Sequence, residues 1–226
     1  MRINKLLSNY GYCSRKEANK FIKDKRVIVN GEFAIEGQWV EESDNILLDG
    51  EKLKAKDKVY IAFNKPVGVV CTAAKETKDN IIDYINYPDY IFPIGRLDKP
   101  SQGLILLTND GDLADKILSS KNYHEKEYIV EVDKKIDDDF IYKMSNGIKI
   151  GDKVTRECKV KLLGENRFSI ILTEGMNRQI RKMSKALGYE VIFLKRIRIM
   201  NILIDEIEEG KWIMLNKEEI NTLRKV

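Results

Sequence analysis

Residues 95–110 read GRLDKPSQGLILLTND. Arg96 and Asp98 precede a break at Pro100, Ser101 and Gly103, after which Leu104, Ile105, Leu106 and Leu107 form an apolar run of strand length. The run predicts a buried strand. The polar residues ahead of it predict a loop fixed against that strand, the usual setting for a functional group. By themselves Arg96 and Asp98 also fit an ordinary surface ion pair on one face of an extended segment.

Working outward, Asn109, Asp110 and Gly111 predict a turn, and Leu113, Ile117 and Leu118 a helix after it. Upstream, VYIAFNKPVGVVCT (59–72) reads as a strand interrupted at Asn64, Lys65 and Pro66 and resumed after Gly68. Downstream, EYIVEV (127–132) alternates as a half-buried strand does, and DDDFIYKM (137–144) has the acid-rich first turn that suits a helix dipole. CKVKLLGENRFSIILTEG (158–175) reads as a hairpin around residues 164–166. A helix over 176–187, a strand over 189–199 and a short helix over 217–225 follow. Strands outnumber helices and many connections are hairpins, so the fold class is α+β, with a mostly antiparallel mixed sheet flanked by helices.

The first fifty residues read differently. Ile3, Leu6 and Leu7 give a helical stripe that Gly11 ends, and Ser14 with Glu17 forms a capping box for a second helix. That helix carries Ala18, Phe21 and Ile22 inward and Arg15, Lys16, Lys20 and Lys23 outward. VIVNGEFAI (27–35) and NILLDGEKL (45–53) each hold the two-residue turn of a tight hairpin. The charged stretch EKLKAKDK predicts a linker, giving a domain over 1–50, a linker over 51–58 and a second domain over 59–226.

The net charge of +4 arises from 40 basic and 36 acidic residues that are unevenly placed. Residues 1–31 and 178–198 are strongly basic, which suggests a polyanionic partner. Cys13, Cys71 and Cys158 are far apart and the chain has 1 histidine, so no metal site is expected and the thiols are expected to be reduced. His124 is expected to be surface or structural, and Ser101 has no triad partner. Asp205, Glu206, Glu208 and Glu209 read as a solvated turn. The first residues lack the apolar core of a signal peptide and no segment approaches a membrane span, so a cytoplasmic protein with no membrane association is expected.

Three blocks carry a resemblance: GRLDKPSQGLILLTNDGDLADKIL (95–118), HEKEYIVEV (124–132) and EGMNRQIRKMSKALGYEV (174–191). Together and in this order they resemble the RNA pseudouridine synthases of the RsuA family, with TNDGDL, HEKEYIV and GMNRQIRKM nearest its RluF-type branch, which acts on large-subunit ribosomal RNA. RINKLL, SRKEA and VIVNG resemble the RNA-binding module named after ribosomal protein S4.

The resemblance implies that a uridine is isomerised by breaking its glycosidic bond, turning the base and rejoining it through carbon, with no redox change and hence no cofactor. Asp98 matches the catalytic carboxylate; it would add to the sugar or base, or remove a ribose proton, and the sequence leaves these routes open. Arg181 matches its ionic partner, which keeps a pocket carboxylate charged. Tyr128 matches the tyrosine that stacks on the base, Ile180 the aliphatic residue on the base's other face, and Arg96 an RNA-facing arginine. Arg178, Lys5, Arg15 and Lys16 are expected to contact RNA phosphates. In the third block Arg178, Arg181, Lys182 and Lys185 are expected on one helix face and Ile180, Met183 and Leu187 on the other. The target uridine must swing out of its stack. The expected partner is 23S rRNA, and the chain is expected to act as a monomer with no obligate protein partner. The other readings are a non-catalytic rRNA-binding or ribosome-assembly protein, and a synthase acting on tRNA or 16S rRNA.

Overall fold

The computed structural model describes residues 1–41, 43–74 and 76–225. In the N-terminal part, α1 (Ile3–Asn9) and α2 (Arg15–Lys23) pack on a sheet of β1 (Val27–Val29), β2 (Glu32–Phe33), β3 (Ile46–Leu48) and β4 (Glu51–Lys52), ordered β2-β1-β3-β4. Ser14 and Glu17 close their capping box: the Glu17 amide donates to Ser14 Oγ at 3.1 Å and the Ser14 amide to Glu17 Oε2 at 2.9 Å. Both hairpins turn on two residues with positive φ, Asn30 at 52° with Gly31 at 92°, and Asp49 at 53° with Gly50 at 84°. That conformation matches the twist of the flanking strands and favours Asn-Gly and Asp-Gly. Ile3, Leu6, Leu7, Ala18, Ile22 and Val27 make the core. The segment expected as a linker begins inside this unit, because β4 pairs with β3 and Leu53 is buried in the same core.

The rest of the chain runs β5 (Tyr60–Lys65), α3 (Ile81–Ile85), β6 (Phe92–Ile94), β7 (Gln102–Thr108), α4 (Gly111–Leu118), β8 (Lys126–Val132) and α5 (Asp138–Ser145). It continues through β9 (Lys149–Ile150), β10 (Lys153–Val154), β11 (Lys159–Gly164), β12 (Arg167–Leu172), α6 (Gln179–Ala186), β13 (Val191–Ile199), β14 (Ile202–Leu203), β15 (Trp212–Met214) and α7 (Lys217–Arg224). A nine-stranded sheet follows the order β11-β12-β8-β13-β7-β5-β15, with β14 on β13 and β6 on β7. Among the described residues its strand pairs are antiparallel except β7 with β13. This is the α+β class with a mostly antiparallel mixed sheet.

The apolar run is continuous because the sheet's centre is buried on both faces. Ile105 and Leu107 point into one core with Ile61, Phe63 and Val130, while Leu104 and Leu106 point into another with Ala62 and the inner faces of α4 and α7. Two expectations change here. The strand of residues 59–65 does not resume after Gly68; Val70 makes only an isolated bridge to Asn80. Gly103, expected to break the chain, lies inside β7 at φ 109°, and a Cβ there would stand 2.2 Å from the Arg196 carbonyl oxygen. Only glycine lets β7 and β13 come this close.

The two parts touch through α1 and α4. Lys5 Nζ pairs with Asp112 at 3.0 Å, Asn9 Nδ2 donates to the same carboxylate at 3.3 Å, and Lys56 Nζ reaches Asp89 at 2.7 Å. Among the described residues no helix is long and apolar enough to cross a membrane.

Candidate active site

Asp98 sits in the loop between β6 and β7, which is anchored at each end and beneath. The Leu97 amide donates to Cys71 Sγ at 3.4 Å, the Ser101 amide to the Asp98 carbonyl at 3.0 Å, and the Gly68 amide to the Lys99 carbonyl at 2.9 Å. Lys65, at the end of β5, is 0% exposed, and its ammonium donates to the carbonyls of Pro66 at 2.8 Å and Val69 at 2.9 Å. Burial lowers its pKa, opposed by Cys71 and Asp98. In sequence Lys65 is part of a strand interruption and gives no hint of this anchoring role beyond its place in a lysine–proline pair inside an apolar run.

The third block starts later than expected. α6 begins at Gln179, and Arg178 is its N-cap at φ 54°, a left-handed conformation costly for a side chain with a Cβ. Gln179, buried, ties the approach: its Oε1 accepts from the Met176 amide at 3.0 Å and its Nε2 donates to Glu174 at 2.8 Å. This bend turns Arg178 toward the Asp98 loop, with Nη1 3.8 Å from Asp98 Oδ2.

Arg181 departs from Lys182 and Lys185 of its helix face, which are exposed, and turns toward Asp98, the partner the resemblance implies. Its side chain is 16% exposed, and its Nε lies 4.0 Å from Asp98 Oδ2. The guanidinium is held by the Val191 carbonyl at 2.9 Å and by Ser101 Oγ at 3.2 Å, while Nε is buried with no hydrogen-bond partner. Burial and then Arg178 lower its pKa, and Asp98 opposes them. A buried cation and a carboxylate of 31% exposure thus face each other, with the cation's position fixed by backbone rather than by the carboxylate.

Tyr128 reaches the same place from β8, nearly buried. Arg196 pairs with it in register on β13, with Cζ 6.0 Å from the ring centroid. Arg196 falls in a stretch expected to form a basic surface, yet it is 3% exposed and its Nε donates to the Leu104 carbonyl at 2.7 Å. Arg198 is likewise engaged, with Glu127 and Glu125 at 2.9 Å each.

Asp98, Tyr128, Ile180, Arg181, Arg178 and Arg96 line one slot of about 90 Å³, whose apolar walls include Leu172 and Leu194. A second cavity of about 550 Å³ opens beside it along Arg96, Tyr128, Lys126 and Arg196. A flat, weakly polar group fits between apolar walls with a carboxylate at its edge. Arg96 is exposed at the mouth of both cavities. Arg15 and Lys16 are exposed on α2, and Lys5, on α1, is paired with the exposed Asp112. His124 is buried and Ser101 accepts from Arg181, so neither is presented as a nucleophile.

Residues 59–186 match the RNA pseudouridylate synthase family, and residues 1–36 match the S4 domain. The chain is an RNA-modifying isomerase that belongs to the RNA pseudouridine synthases and carries an S4 domain, the RsuA-type arrangement. It is 49% identical over 228 residues to the dual-specificity RNA pseudouridine synthase RluF of Salmonella typhi, and 47% identical over 229 residues to that of Escherichia coli K12, in each case over 100% of this chain and 79% of the relative. Ribosomal large subunit pseudouridine synthase B of Bacillus subtilis is 35% identical, over 99% of this chain and 95% of its own. A crystal structure of a pseudouridylate synthase superposes with a TM-score of 0.72 at 29% identity, covering 99% of each chain.

Proposed function

We propose that this chain isomerises a specific uridine of 23S rRNA, with Asp98 as the catalytic carboxylate. The observation that carries the reading is one carboxylate facing two guanidiniums, Arg178 at 3.8 Å and Arg181 at 4.0 Å, in a slot walled by Tyr128 and Ile180. Arg181 stabilises the ionised carboxylate that either addition or proton abstraction requires. Tyr128 and Ile180 hold the flipped uracil between them, and the phenol is placed to move protons as the base is rejoined. Arg96 and Arg178, at the mouth, contact the strand from which the uridine has swung, offsetting part of the cost of unstacking.

The chain works in two parts. The N-terminal unit with Arg15 and Lys16 grips folded RNA, and the unit from residue 59 onward performs the chemistry. It acts as a monomer in the cytoplasm. The relatives named dual-specificity support a search for a second class of RNA target alongside 23S rRNA.

Pseudouridines are mapped in total RNA from cells whose only copy carries Asp98→Asn. The expected outcome is loss of modification at a 23S uridine. Unchanged modification at every site would overturn the assignment of Asp98, loss confined to tRNA or 16S rRNA would overturn the 23S target, and tight rRNA binding by the unaltered chain without isomerisation would overturn the enzyme reading.

A further inference from the structure

We propose that Lys126 and Arg196 form a phosphate-binding subsite beside the slot, holding a phosphodiester of the RNA strand that carries the target uridine. The proposal rests on the RNA-modifying reading above and adds to it a specific positioning contact.

Lys126 and Tyr128 are two residues apart on β8 and so share a face, and Arg196 is the cross-strand partner of Tyr128 on β13. All three line the cavity of about 550 Å³ that also touches Asp98. Arg196 is almost wholly buried, yet its Nη2 has no hydrogen-bond partner. Lys126 Nζ donates to the His124 carbonyl at 3.2 Å and has further donors unused. Neither residue takes part in an ion pair found among the described residues.

The acidic groups nearby do not neutralise them. Glu174 accepts from the Arg156 amide and from Gln179, and Asp98 faces Arg178 and Arg181. A buried guanidinium with Nη2 unpaired, beside a half-buried ammonium that has one carbonyl acceptor and no carboxylate, is costly in a polar cavity unless an anion completes the pair. A uracil ring, neutral and flat, has no use for two point charges, whereas a phosphodiester offers tetrahedral oxygens to both. Such a phosphate lies where the backbone must pass if the uridine's base enters the adjoining slot.

Burial, and then Arg196, pull the Lys126 pKa down to about 8. The charged or titrating groups facing it are Arg196 from β13, Arg96 and Asp98 from the β6–β7 loop, Glu174 and Arg178 from the β12–α6 loop, and Tyr128 on its own strand. His124, just upstream, also has its pKa lowered, by burial first and Lys126 second. Lys126 is therefore cationic at neutral pH and loses its charge as pH rises through about 8. The phosphate contact weakens in the same direction.

The test uses the full chain carrying Asp98→Asn, expected to bind without turnover, and an unmodified transcript of large-subunit rRNA as probe. Dissociation constants are measured against KCl concentration at pH 7 and pH 9, alone and with Lys126→Met or Lys126→Arg. Lys126→Met is expected to bind roughly tenfold to hundredfold more weakly at pH 7, with the salt slope smaller by about 1. Lys126→Arg, whose charge persists, is expected to keep its affinity at both pH values while the parent weakens at pH 9. A parent and a Lys126→Arg chain that weaken equally between pH 7 and pH 9, or a Lys126→Met chain with an unchanged salt slope, would overturn the subsite. Should Lys126→Met fail to fold, the pH comparison with Lys126→Arg decides alone. Because affinity and not product is read, and every arm shares the Asp98→Asn background, unchanged modification by Asp98→Asn in cells would remove the catalytic assignment while leaving the Lys126 comparison to be decided by its own affinities.

Discussion

On α2 of the N-terminal unit, Arg15, Lys16, Lys20 and Lys23 stand in water, whereas in the large sheet Arg181 and Arg196 are enclosed by strands and loops. The same residue types therefore serve different ends. Charges in water act over a Debye length of about 8 Å at physiological salt; they add affinity for phosphates and carry little geometric information. Charges inside the sheet lose hydration, are fixed by carbonyls, and act strongly on the one carboxylate or anion within reach. Basic residues sort by burial before they sort by sequence position.

The comparison is challenged most severely at Arg181. Arg181→Met should lower single-turnover pseudouridine formation by roughly 10²–10³-fold while leaving RNA affinity nearly unchanged, since the side chain is turned inward. A loss of affinity with no loss of rate would place this arginine with the solvated set instead. Next in size is Gly103→Ala, whose methyl meets the Arg196 carbonyl oxygen 2.2 Å away. Urea denaturation should show a loss of roughly 2–5 kcal/mol, and an unchanged midpoint would mean that β13 yields easily.

On the solvated side, Arg15→Ala combined with Lys16→Ala should weaken rRNA binding and reduce the salt slope by about 2, with the rate at saturating RNA preserved. A fall in that rate would break the division between gripping and chemistry. The smallest effect is expected from Lys5→Ala. Its pair with Asp112 is exposed on both sides, so thermal unfolding should register less than about 1 kcal/mol, with rRNA affinity unmoved; a marked loss of affinity would return Lys5 to the RNA-facing set.

Features set by near neighbours are legible in the amino-acid sequence alone. The Ser14–Glu17 box and the turns at Asn30-Gly31 and Asp49-Gly50 each depend on residues within a few positions, and all three form as expected. The run at 104–107 falls in an interior strand, as its unbroken apolar pattern predicts. The motif blocks bring Asp98, Tyr128, Ile180 and Arg181 into one set of candidates, and these line one slot.

What the sequence hides depends on distant partners. Gly103 looks like a loop residue until β13 is laid against it 93 positions later. Arg196 looks like a surface charge until Leu104 accepts its Nε hydrogen. Lys65 looks like an interruption until the loop it anchors folds over it. Helical period alone groups Arg181 with the exposed Lys182 and Lys185, and only the motif match sets it apart; its long side chain follows the carbonyl of Val191 inward. Arg178 belongs by the same period to the helix, but its left-handed backbone places it one residue before.

The parallel pairing of β7 with β13 also sets an order of events during synthesis. The N-terminal unit has its whole core once Leu53 has left the ribosome, and domains at the N-terminus fold first. The loop of Asp98 has no neighbour across Gly103 until Arg196 has been added. At elongation speeds of about 5–20 residues per second that interval is roughly 7–29 s. During it the nascent chain possesses a folded grip for RNA and an unassembled slot, so attachment to RNA precedes the ability to alter it.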